Sequence, residues 1–174
     1  LAASGELQRV HGGALPASGA TATFAERQTL SIDSKKHVAK KGAELISSGQ
    51  VVIVDGGTTT AELVKCLPRD LNITVVTHSP GIALALVEHP LIEVILIGGK
   101  LFKHSVVTTG TAAIAGTAAT QADLFFLGAT GVHPRAGVPT GDYAEAHVKR
   151  AFSRRGADTA GVAPAENRHA ASTC

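Results

Sequence analysis

The residues with most to offer chemically stand in one run, Asp55, Gly56, Gly57, Thr58, Thr59 and Thr60. An acid followed by two glycines and three hydroxyls suits the capture of an anion such as phosphate. The glycines let the chain turn sharply and let a ligand reach the backbone, while the hydroxyls donate to phosphate oxygens or cap a helix. Free backbone N–H groups at a helix start face the same point as the positive end of the helix dipole. The same residues also serve as a plain strand-to-helix turn whose threonines only cap, and the run alone leaves both readings open. Other chemistry is thin. The eight histidines, among them His78, His104, His133 and His147, are scattered without HExxH spacing, and no CxxC occurs, so no metal is expected. Ser79 in THSPG is not in a nucleophile elbow and reads as a helix cap. Neither a Walker A run nor the GxGxxG spacing is present, and no cofactor is expected. Glu145 and Lys149 stand four apart on one helix face, either as a surface ion pair or as a pair aimed at a ligand.

The elements that must position these residues follow from the apolar pattern. VVIVD, residues 51–55, reads as a buried strand, and Ala61, Leu63, Val64 and Leu67 give the helix after it an apolar face. ITVVT at 73–77 is a second strand, followed by a helix with Ser79 as N-cap and Pro80 as its first residue. EVILIGG (93–99) and DLFFLGATG (123–131) are two further strands, with a helix over 110–121 between them and another over 142–155 built on Ala146, Val148 and Phe152. Upstream, a helix is expected from Ser34, its N-cap, to Ser48, with Val38, Leu45 and Ile46 as its stripe and Gly49 as its stop. Its Lys35, Lys36, Lys40 and Lys41 read as a solvated face. Residues 24–31 can begin a short helix, 14–23 have linker composition, and 5–14 form an alternating segment whose hairpin partner is expected upstream of Leu1.

Strands that are apolar throughout are buried on both faces. Alternating with helices, they give an α/β fold with an open, mostly parallel, Rossmann-like sheet and helices on both faces. Such sheets bind ligands at the carboxyl ends of their strands. DGGTTT, THSPG, IGGK and LGATG all fall there, so a small phosphorylated ligand is expected at that edge.

The 174 residues suffice for one domain, or one domain and a fragment of another, and 44% hydrophobic content supports one sizeable core. No apolar run approaches the roughly 18 to 20 residues of a membrane span, and LAASGELQRV lacks the pattern of a signal peptide. Cys66 and Cys174 make no disulfide framework, which fits a reducing cytoplasm. A net charge of +2 does not by itself argue for nucleic acid. The chain has no Met, so it is expected to be part of a longer protein.

The ordered set DGGTTT, TVVTHSPGIAL, VILIGGKL, ADLFFLGATGV and EAHVKRA resembles the effector-binding domain of DeoR-type bacterial transcriptional regulators, over about residues 24–155. GELQRVHGGA resembles the last strand of that family's winged helix-turn-helix domain. The resemblance implies a remnant of the DNA-binding domain at 1–14, a linker at 15–30 and a sensor domain at 31–174. It also implies a fold like that of ribose-phosphate isomerases, glucosamine-phosphate deaminases and CoA-transferases. A phosphorylated sugar would be the effector, operator DNA would be bound through the missing N-terminal domain, and the regulator, expected to be a repressor, would be a cytoplasmic homo-oligomer. Asp55, Gly56, Gly57, Thr58 and Thr59 would form the phosphate turn. Thr77, His78, Ser79, Gly98, Gly99, Lys100, Gly128, Thr130, Gly131, Glu145 and Lys149 would line the rest of the pocket. The family carries Asn where His78 stands, an acidic residue at Thr130 and Lys at Asn167. The alternative is a sugar-phosphate isomerase or deaminase on the same fold. Leu127 and Thr130 lack the carboxylates those enzymes use for proton transfer, so no catalytic residue is expected.

Overall fold

The computed structural model describes residues 7–10, 13–16, 22–129 and 142–164. In chain order its elements are β1 (Leu7–Val10), β2 (Gly13–Pro16), α1 (Phe24–Thr29), α2 (Ile32–Ala43), β3 (Val51–Val54), α3 (Thr58–Lys65), β4 (Ile73–Thr77) and α4 (Pro80–Leu86). Then follow β5 (Ile92–Leu96), β6 (Lys100–Phe102), β7 (Val107–Thr109), α5 (Thr111–Thr117), β8 (Ala122–Gly128), α6 (Tyr143–Ser153) and β9 (Gly156–Val162). Among the described residues no helix is long and apolar enough to cross a membrane.

Five strands form one parallel sheet in the order β5-β4-β3-β8-β9. Successive side chains on a strand point to opposite faces, and the core divides accordingly. Val52 and Val54 pack with Leu63, Val64, Ile82 and Leu86 under α2, α3 and α4. Ile53 on the same strand turns the other way and packs with Phe125, Val148 and Phe152 under α5 and α6. The chain builds outward from β3 through β4 to β5, then returns to set β8 on the opposite side of β3. The order of strands therefore reverses between β3 and β8, and crevices for ligands form at the carboxyl side of such a reversal.

Several local expectations are corrected. The partner of β1 is β2, downstream of it and antiparallel, with Leu7 opposite Pro16. Helix α2 begins at Ile32 after Ser31, which is left-handed at φ 50° and makes no side-chain cap, so Ser34 lies inside the helix. It ends at Ala43, because the chain turns through 44–48 toward Gly49, whose φ of 88° favours glycine. Leu45 is left exposed, while Val38 and Ile46 pack on the core. Strand β5 is at the sheet edge, so Ile95 and Leu96 are exposed where burial on both faces was expected. Lys35 is buried although Lys36, Lys40 and Lys41 are solvated. The hairpin β6–β7, with Lys100 opposite Thr109, divides what reads in the sequence as a single connection.

Candidate functional site

The carboxyl ends of β3, β4 and β8 bring Asp55, His78 and Gly128 together, and α6 adds Lys149 and Glu145 from above. Asp55 is fully buried. Its Oδ1 accepts from the Gly56 N–H at 2.8 Å and from His78 Nε2 at 2.8 Å. Its Oδ2 accepts from the Gly128 N–H at 3.0 Å and pairs with Lys149 Nζ at 3.1 Å. Burial alone would push this carboxyl up, but the charges of Lys149 and His78 and the bond from His78 hold it below the usual carboxylate range. Lys149 answers in the same sense. Burial would lower it, and the Asp55 and Glu145 carboxylates raise it above the ordinary lysine value.

His78 is also fully buried, edge-on to Phe152 with ring centroids 5.3 Å apart. Its Nδ1 lies 2.9 Å from the Thr108 carbonyl. A carbonyl accepts only, so Nδ1 carries a proton and donates. His78 thus ties β3 and β4 to the β6–β7 hairpin. The tie is doubled where Thr108 N–H donates to the His78 carbonyl at 2.8 Å. Ser79 caps α4 through the Ile82 N–H and donates to the Val106 carbonyl at 3.1 Å. Val106 holds a φ of 54°, a strained conformation for a β-branched residue. Thr77 donates to the Val54 carbonyl at 2.7 Å and accepts from the Ser79 N–H. Thr77, His78 and Ser79 are therefore buried in bonds that join β3, β4 and the β6–β7 hairpin.

The start of α3 is half-buried at Gly57 and Thr58 and buried at Thr59 and Thr60. Its cap position is Gly57, with a φ of 150° and no side-chain cap bond. The first bond within the helix runs from the Ala61 N–H to the Gly57 carbonyl at 3.0 Å. The N–H groups of Thr58, Thr59 and Thr60 thus head the helix, with no earlier turn to receive them. Thr60 turns its hydroxyl back onto the Gly57 carbonyl at 3.0 Å. Close approach explains the glycines beside it. A Cβ on Gly56 would sit 2.1 Å from Val107 Cγ1, and one on Gly128 would sit 2.8 Å from the Gly56 carbonyl oxygen.

Of the sequence-expected residues, Asp55, Gly56, Thr77, His78, Ser79, Gly128, Glu145 and Lys149 are joined by these contacts, with Gly57, Thr58 and Thr59 alongside. Gly98, Gly99 and Lys100 lie one loop away, where Gly99 packs against the Thr109 carbonyl and Ala113. Thr130, Gly131 and Asn167 lie outside the described residues. Sequence reasoning missed Ser105, Thr108, Arg27 and Lys35. The first two sit on or beside a hairpin whose signal was present, two β-prone runs around a short turn between Gly99 and Gly110. The buried role of Arg27 and Lys35 depends on tertiary contacts alone. Among the described residues, no cluster of three or more His, Cys, Asp or Glu could hold a metal ion.

The profile of the DeoR C terminal sensor domain matches residues 30–166. The chain belongs to the DeoR sensor-domain family. This DeoR sensor domain is 34% identical over 161 residues to the HTH-type transcriptional regulator GlpR of Haloferax volcanii, covering 91% of the chain and 63% of that protein. It is 30% identical over 153 residues to the glycerol-3-phosphate regulon repressor of Escherichia coli, covering 87% of the chain and 61% of that protein. The chain thus spans less than two-thirds of the length of these curated relatives. A D-ribose-5-phosphate isomerase in complex with phospho-erythronic acid shares the fold of the DeoR sensor domain, with a TM-score of 0.58 at 20% identity over 79% of the chain and 54% of that structure. So does eIF2B delta from Chaetomium thermophilum, with a TM-score of 0.56 at 15% identity over 83% of the chain and 51% of that structure.

Proposed function

We propose that this domain is the sensor of a transcriptional repressor of carbohydrate metabolism, and that its effector is a phosphorylated sugar held at the start of α3. The observation that carries this reading is the uncapped helix end at Gly57, set at the strand-order reversal beside Lys149. Helix N–H groups and the dipole favour an anion there. The name of the Escherichia coli relative, a glycerol-3-phosphate regulon repressor, supports a phosphorylated ligand. Effector binding shifts the balance between DNA-bound and released states through unequal affinity for the two. Operator DNA is contacted through a winged helix-turn-helix domain, of which residues 1–14 are the remnant, joined to the rest of the sensor by a connecting segment over 15–30 that ends in α1. The regulator acts in the cytoplasm as a homo-oligomer, a state supported by the exposed Leu84 on α4, Val87 at its C-terminal cap, and Ile95 and Leu96 on the edge strand β5.

The site binds and does no chemistry. Both oxygens of Asp55 are occupied, by Gly56, His78, Gly128 and Lys149, which leaves no lone pair aimed at a substrate proton. Leu127, on β8, cannot act as acid or base.

The test is a thermal-shift screen of phosphorylated sugars against their unphosphorylated forms. A phosphosugar at a hundred times its Kd stabilises by about 2.7 kcal/mol, a rise of roughly 5–11 °C for a domain of this size. The double variant Thr58→Ala, Thr59→Ala should remain folded and lose the response. Equal shifts from both sugar forms, or none across the panel, would refute the phosphate site.

A further inference from the structure

The contacts of Lys149 do not end at the ligand edge. Glu145 Oε1 pairs with Lys149 at 3.1 Å, and its Oε2 accepts from Ser105 Oγ at 3.1 Å. The carbonyl just before, that of His104, accepts from Arg27 Nη2 on α1 at 2.7 Å. The Arg27 carbonyl in turn accepts from Lys35 Nζ on α2. Ser105, Glu145, Arg27 and Lys35 are all buried. A continuous polar path therefore runs from the β3–β8 crevice through the β6–β7 turn to α1, the first helix after the β1–β2 hairpin.

One link in this path is exchangeable. A lysine ammonium has three N–H donors, and those of Lys149 serve Asp55, Glu145 and the Gly128 carbonyl. A phosphate oxygen that recruits Lys149 must displace one of them. Asp55 is fixed by two backbone N–H groups and His78, and the Gly128 carbonyl belongs to β8. Glu145 is a side chain with a second partner, so it is the one to yield. A buried carboxylate that loses its cation needs another, and Arg27 already lies within the electrostatic reach of Glu145.

We propose that phosphate binding exchanges the Lys149–Glu145 pair for an Arg27–Glu145 pair, drawing Arg27 off the His104 carbonyl and making α1 the output element of the sensor. The exchange rests on the phosphate reading of the α3 start. It supplies what an allosteric account requires, two discrete arrangements of the same groups with different contacts in each. Whatever displaces α1 acts on the segment joining it to the β1–β2 hairpin, on the side of the chain assigned above to DNA binding. Arg27 is a positioning residue in this scheme and does not touch the ligand.

Amide hydrogen exchange on the full-length regulator, with and without inorganic phosphate, tests the scheme. In the wild-type chain phosphate should slow exchange at Thr58–Thr60 and change exchange at Phe24–Thr29. In Arg27→Gln the first effect should persist and the second should vanish. Glu145→Gln should also lose the second effect without touching α1, and should bind phosphate about two- to fivefold more tightly because Lys149 is held less strongly. A response at Phe24–Thr29 that survives in either variant overturns the exchange. So does wild-type protection at Thr58–Thr60 with α1 unchanged. Absence of protection at Thr58–Thr60 in the wild type overturns the phosphate site itself, and the exchange falls with it.

Discussion

Replacing Asp55 by Asn is the most informative single change, because it keeps the volume and removes the charge. Asp55 accepts from donors on both oxygens, Gly56 N–H and His78 on one, Gly128 N–H and Lys149 on the other. An amide replaces one oxygen by NH2. Turned toward Gly128 and Lys149, that NH2 meets two donors and leaves two hydrogen bonds unmade; turned the other way, it meets the Gly56 N–H and can donate to His78 Nε2 in its Nδ1–H tautomer, which leaves at least one unmade. Lys149 also keeps only one of its two carboxylate partners, at a site with no water-exposed alternative for Asp55. Breaking a buried pair by removing one partner typically costs ~3–5 kcal/mol. Set against a total stability of about 5–15 kcal/mol for a domain, the loss takes a large fraction of the whole. The melting temperature should fall by roughly 6–20 °C. Urea unfolding followed by circular dichroism reads the effect, with an unchanged m-value showing that the loss lies in stability. A loss below about 1 kcal/mol, the net worth of an ordinary hydrogen bond, would refute the view that this network holds the crevice together.

Two further outcomes are expected. Gly128→Ala places a Cβ 2.8 Å from the backbone oxygen of Gly56, and backbone yields less readily than a side chain. The cost should be about 1–3 kcal/mol of overpacking strain, and a urea midpoint equal to wild type would show that the two loops separate freely. The second concerns pH. Asp55 titrates below its ordinary value when folded, so its contribution is present above about pH 3.9 and is lost as pH falls through the folded value. Lys149 titrates above its ordinary value, so its contribution is present below about pH 10.4 and is lost as pH rises through the folded value. Urea midpoints measured across pH should decline at both ends, and Asp55→Asn should lack the Asp55 share of the acid decline. Identical acid limbs in wild type and variant would contradict the assignment.

The central strands and their helices were legible because burial on both faces leaves a mostly apolar signature in β3, β4 and β8, interrupted only by Thr74, Thr77 and Asp123. Caps that act through local chemistry were legible too, as with Ser79 on the Ile82 N–H and Pro80 after it. What stayed hidden is set by contacts distant in sequence. The outer face of β5 looks like core in composition, and only its place in the strand order exposes it. Lys35 looks like its solvated neighbours, yet the Arg27 carbonyl eight positions earlier takes its charge inside. His78 reads as a lone histidine, and its partners come from the residue just after β3, 23 positions before, and from β7, 30 positions after. The turn at Gly56–Gly57 was the clearest signal, since glycine pairs and hydroxyls at a strand end are a local requirement.

The return of β8 to the side of β3 also sets a timetable. Asp55 meets the Gly128 N–H 73 positions later, and Lys149 follows later still. During synthesis at about 5–20 residues per second, the Asp55 carboxylate therefore waits roughly 4–15 s for the first of these partners to be made. Through that interval β3, β4 and β5 exist without the strand that covers the other edge of β3. A nascent chain paused there exposes a row of unpaired backbone groups beside an acid that has His78 and the Gly56 N–H but still lacks Gly128 and Lys149. That intermediate is the one on which a chaperone has most to act.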